Sequence, residues 1–108
     1  ILPSTKNIRI EKNTIRDGKI DIYNAFGLYA SGIEIAGANI ESATLSCNKI
    51  YSNSGNGIVI PNRTASTKQI IMKQNAIYNN GINVNFYLGP QDQVENNCFD
   101  SSCQIAGC

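Results

Sequence analysis

The chain has no histidine. That absence removes Ser-His-Asp and Cys-His catalysis and most zinc sites, so any chemistry has to run on carboxylates, Lys, Arg or Tyr. Charge is also scarce: charged residues make up 16% of the 108, and the formal net charge is +1. Lys and Arg are scattered singly with no basic run, which argues against a nucleic-acid partner. No apolar stretch approaches the ~20 residues a membrane span needs, and no signal-peptide pattern is present.

Asn and Ile are abundant, and they recur in a template. Residues 8–15 (IRIEKNTI), 43–50 (ATLSCNKI), 70–77 (IIMKQNAI) and 92–99 (DQVENNCF) align on Asn13, Asn48, Asn75 and Asn97. An apolar residue stands three before each Asn (Ile10, Leu45, Met72, Val94), and another stands two after it (Ile15, Ile50, Ile77, Phe99). A second half-repeat follows the first three: residues 32–35 (GIEI), 57–60 (GIVI) and 81–84 (GINV). The apolar period inside these segments is two, which is the mark of strands with one buried face.

The anchors are 35, 27 and 22 residues apart. Helical repeats hold a nearly constant length, whereas a solenoid of short strands tolerates loops bulging from its corners. The pattern therefore predicts an all-β parallel β-helix of about four coils, stacked at roughly 4.8 Å. It forms one domain, with coils near residues 7–38, 43–62, 70–88 and 92–108. Asn at a strand corner tolerates a left-handed backbone and can ladder its amide with the next coil.

The repeat resembles the right-handed parallel β-helix repeats of the pectate-lyase-like superfamily, which includes polysaccharide lyases, epimerases and bacteriophage tailspikes. The residues carrying the likeness are 48–50 (NKI) with 57–60, and 75–77 (NAI) with 81–84. The resemblance implies a right-handed solenoid in an extracellular or virion setting and a polysaccharide partner. It also implies lyase, hydrolase or epimerase chemistry, and Ca²⁺ only by analogy. The coil type itself carries many activities.

Chain length and ends add an expectation. The sequence opens ILPST without an initiator Met, and the repeat starts by residue 8. This predicts an internal or C-terminal piece of a longer solenoid, or a proteolytic product. The alternative is a complete small solenoid capped by an oligomer partner such as a homotrimer, because end coils expose apolar surface and unpaired edges.

Reading equivalent positions down the stack, no outward column places two carboxylates on neighbouring coils. Glu95 has Lys73 beside it, which predicts a surface ion pair rather than a proton-transfer couple. Glycoside hydrolysis needs two carboxyls some 5–9 Å apart. The candidate catalytic acids are Asp17, Asp21 and Glu34, all in the first long coil; the competing reading is solvated loop charge.

Tyr51 and Tyr78 occupy one position on consecutive coils, so their rings are expected about 5 Å apart. With Asn53 and Asn80 beside them they form a candidate glycan subsite; the competing and compatible reading is an aromatic ladder. Tyr23, Phe26 and Tyr29 in the expanded first coil, and Phe86 with Tyr87 after the third, belong to insertions expected on the side of the stack.

Three of the four cysteines crowd the end: Cys98, Cys103 and Cys108. Their spacing does not suit zinc. A disulfide tying down the last coil is expected, Cys98–Cys108 or Cys103–Cys108. Cys47 lies two coils from Cys98, about 10 Å up the stack, outside bridging distance, and is expected as a free or buried thiol. This use of cysteine leans towards an exported or virion protein. Two functions follow: a module that binds or helps process polysaccharide, or a non-catalytic structural or receptor-binding scaffold.

Overall fold

The computed structural model describes residues 6–18, 31–36, 40–61, 67–103 and 108. Among these there is no helix; the structure is ten short strands. They are β1 (Asn7–Glu11), β2 (Thr14–Arg16), β3 (Ile33–Glu34), β4 (Ile40–Ser46), β5 (Lys49–Tyr51), β6 (Asn56–Val59), β7 (Thr67–Lys73), β8 (Ala76–Tyr78), β9 (Ile82–Asn85) and β10 (Gln93–Glu95). Every third strand joins the same sheet, giving the orders β1-β4-β7-β10, β2-β5-β8 and β3-β6-β9. All the pairings are parallel.

The aligned templates become registers. Ile10 pairs with Leu45, Leu45 with Met72, and Met72 with Val94; Ile15 pairs with Ile50 and Ile50 with Ile77. β4 and β7 are cut to the same pattern: Ile40, Ala43 and Leu45 are buried on one, and Thr67, Ile70 and Met72 on the other. Period two turns Ala43 with Leu45 and Ile70 with Met72 inward, whereas Ile40 and Thr67 are buried three residues before Ala43 and Ile70; the three sheets share one core built mostly of Ile. The last rung is open: Val94 is 40% and Phe99 50% exposed, where Leu45 and Ile77 are fully buried.

The corners repeat as faithfully as the strands. Lys12, Cys47, Gln74 and Asn96 each stand one residue before an anchor Asn, and all have φ between 57° and 58°. Asp17, Ser52 and Asn79 hold the second corner, with φ of 64°, 57° and 53°. A left-handed backbone costs a non-glycine residue roughly 1–2 kcal/mol. Each turn offsets part of this by donating to the next rung: Lys12 N to Ser46 O, Cys47 N to Lys73 O, and Gln74 N to Glu95 O, each at 3.1 Å.

One register departs from the sequence reading. Residues 57–60 were expected to pair with 81–84, but Ile58 pairs with Val84 and Asn56 with Ile82. The pairing is shifted by two, so it is Val84 that joins the core and Ile82 that is exposed. A two-residue slip preserves the inward face, so period alone cannot detect it. Close approach at Gly57 accompanies the observed register. A Cβ there would lie 2.5 Å from the Asn83 carbonyl oxygen. Val59, expected outward, is in fact buried.

The cysteines are paired as Cys47–Cys108 and Cys98–Cys103. Neither expected pairing, Cys98–Cys108 or Cys103–Cys108, forms, and Cys47 is not a free thiol. Cys47 and Cys98 lie two rungs apart and do not bridge. Cys108 stands ten residues beyond Cys98 in sequence. At about 3.3 Å per residue, that much chain easily spans the two rungs back to Cys47. The Cys108 sulfur lies beside the Gln74 carbonyl, on the corner between them. Two disulfides suit an oxidising compartment. No helix is long and apolar enough to cross a membrane among the described residues.

Candidate functional site: tyrosine and asparagine columns

Parallel pairing of β5 with β8 sets Tyr51 opposite Tyr78. Their ring centroids are 5.1 Å apart and the planes differ by 9°, a stacked pair. Arg16, one rung earlier in the same column, donates to the Tyr51 hydroxyl at 3.1 Å. That bond, then the Tyr51 and Asp17 charges, raises the Arg16 pKa above its ordinary value. Lys49 Nζ lies 5.4 Å from the centre of the Tyr51 ring, and the Arg16 guanidinium carbon lies 6.0 Å away, both within cation–π range. Tyr78 is only 8% exposed. The rings are thus shared with each other and with cations, as in a ladder.

The amides tell the same story. Asn13, Asn48 and Asn75 each donate both backbone N–H and Nδ2 to the Oδ1 of the next anchor, at 2.8–3.2 Å. The Nδ2 groups of Asn48, Asn75 and Asn97 also reach back one rung, to Ile10 O, Leu45 O and Met72 O, all at 2.8 Å. A second column runs beside it. Gly18 N donates to Asn53 Oδ1, and Asn53 N and Nδ2 donate to Asn80 Oδ1. Asn80 Nδ2 donates to Ile50 O and to Asn83 Oδ1.

Asn53, one of the glycan candidates, is 2% exposed, and both it and Asn80 use their amides inside the stack. This second ladder had a legible signal: Asn53 and Asn80 follow Asn48 and Asn75 by the same five residues.

Among the candidate acids, Asp17 is exposed and paired with Arg16 Nε at 3.4 Å. Glu34 is half-buried on β3. Asp21 lies outside the described residues, as do Tyr23, Phe26 and Tyr29. Lys73 and Glu95 are paired at 3.7 Å, a contact that contributes less than ~1 kcal/mol at such exposure. No group of three or more metal-ligating side chains converges among the described residues. Asp100 accepts from the backbone N–H of Ser102 at 3.1 Å, which holds its carboxyl below the usual range.

Comparison with known proteins found no matching family model, no matching curated protein and no matching solved structure. The likeness to pectate-lyase-like repeats therefore rests on the repeat alone.

Proposed function

We propose that the chain is a right-handed parallel β-helix module of about four coils, working on the outside of a cell or virion as a rigid, non-catalytic support that contacts polysaccharide. It does so as part of a longer solenoid or as a homotrimer. The observation that carries this reading is the commitment of polar and aromatic side chains to stacking. Two asparagine columns and one tyrosine column run along the rungs. Such fixed columns hold a rod straight and cost little reorganisation when a long ligand lies along it. Export is supported by the two disulfides.

A catalytic reading needs an acid pair. Asp17, one of the candidate acids, is paired with Arg16. The test is a panel of neutral and acidic polysaccharides, followed both for binding and for turnover. Retention on at least one glycan is expected, with no gain of reducing ends or of unsaturated uronate absorbance. Turnover that disappears in Asp17→Asn or Glu34→Gln would overturn the non-catalytic reading.

A further inference from the structure

The turn between β9 and β10 builds a small concavity that none of the columns accounts for. It measures about 320 Å³, and Lys68, Tyr87, Leu88, Pro90 and Gln91 contribute to its walls. That volume lies at the lower end of the range for small-molecule sites. Tyr87 is 82% and Leu88 61% exposed. Two adjacent large side chains so bare to water mark a contact surface rather than a core.

The turn is held from several sides. Asp92 accepts from Gly89 N at 2.7 Å and from Ile70 N at 2.8 Å, and its own N–H donates to Gly89 O at 3.1 Å. Gln91 Nε2 donates to Lys68 O at 2.7 Å, and Gln69 Nε2 donates to Gln91 O at 3.2 Å. The segment that follows Tyr87 and Leu88 is therefore braced against β7, which lowers the ordering cost of a ligand that rests there.

The polar rim carries an ion pair. Lys68 Nζ sits 3.2 Å from Glu41 Oε1. This bond leaves an ammonium with further donors beside a carboxylate with further lone pairs. Such a pair can both donate to and accept from hydroxyls, and it brings no net charge to attract an anion. Next to it stands an aromatic ring able to cover the C–H face of a pyranose.

From these features we infer that the Tyr87 turn is a binding subsite for a neutral hexopyranose unit of a polysaccharide, the ring face resting on Tyr87 and the hydroxyls meeting Lys68 and Glu41. The inference rests on the glycan-contacting reading proposed above and moves its contact point from the Tyr51–Tyr78 column to this turn.

The experiment is calorimetric titration of the chain with cellohexaose, laminarihexaose and mannohexaose, and with polygalacturonate as the acidic comparison. At least one neutral hexasaccharide is expected to bind. Tyr87→Ala should then weaken it about tenfold or more, and Tyr87→Phe should stay within about twofold, because the ring rather than the hydroxyl provides the stacking face. Ten times more salt should change the affinity by less than about twofold, since no net charge is involved.

If a neutral sugar binds and Tyr87→Ala binds it equally well, this subsite is wrong while the glycan reading stands. Binding confined to polygalacturonate and abolished by salt overturns the neutral-sugar assignment. Binding of none of the four overturns the subsite and the glycan reading together.

Discussion

Asn75→Ala is expected to destabilise the fold by about 4 kcal/mol, a loss of roughly 20 °C in Tm for a domain of this size. Asn75 is almost wholly buried, and its side chain bonds four groups on the neighbouring rungs. Its Oδ1 accepts from the N–H and Nδ2 of Asn48, and its Nδ2 donates to Leu45 O. Its Nδ2 also donates to Asn97 Oδ1. Truncation removes all four bonds; Asn48 Nδ2 keeps Ile10 O, while the Asn48 N–H loses its asparagine acceptor, and each bond left unmade costs about 1–3 kcal/mol.

Gln93→Ala, on the exposed β10, should stay within about 0.5 kcal/mol. Urea unfolding of the two variants measures the contrast, and equal, small losses would mean the ladder contributes nothing. Asn75→Asp adds a sign. Burial raises the new carboxyl's pKa in the folded state, so the variant's stability is present below the unfolded-state pKa. It is lost as pH rises through the folded one.

Cys108→Ser should cost a similar amount, about 4 kcal/mol, because Cys47–Cys108 closes a loop with a sequence separation of 61. Cys98–Cys103 spans 5 residues, and on the same chain-entropy argument its loss costs only about 2 kcal/mol. Cys47→Ser should match Cys108→Ser, and the double variant should lose no more than either single one, the signature of a shared bond. Peptide mapping of the oxidised chain should recover residues 47 and 108 in one linked fragment. A Cys103–Cys108 or Cys98–Cys108 fragment, with Cys47 alkylated, would contradict the structure.

Much of this architecture was legible before any coordinates. Period two and the aligned asparagines mark Ile8 with Ile10, Ala43 with Leu45 and Ile70 with Met72 as inward, though not Ile40 or Thr67, and the Tyr51–Tyr78 spacing follows from rung height alone. The failures have physical causes. The β9 register escaped because a slip of two keeps the same face inward; close packing at Gly57 accompanies the observed register. The Cys47–Cys108 bridge escaped because rung spacing describes residues in the stack, whereas Cys108 is carried by chain beyond it. Asn53 and Asn80 are glycan candidates in the sequence because amides beside aromatic rings suit sugars. The corner turns them inward, where their amides bond from rung to rung. The Tyr87 turn had only a weak mark in the sequence: apolar residues 86–88 set between two strands and followed by Gly89 and Pro90.

Amide hydrogen exchange resolved by residue tests the stacked-ladder account most directly. The N–H groups of Asn48 and Asn75 each end on a neighbouring asparagine oxygen, while that of Asn97, at the open last rung, meets no such oxygen among the described residues. The account predicts exchange at Asn48 and Asn75 at least ~10³-fold slower than at Asn97, set by unfolding rather than local fraying. Comparable, fast exchange at all three would mean that the asparagine ladder does not exist in solution.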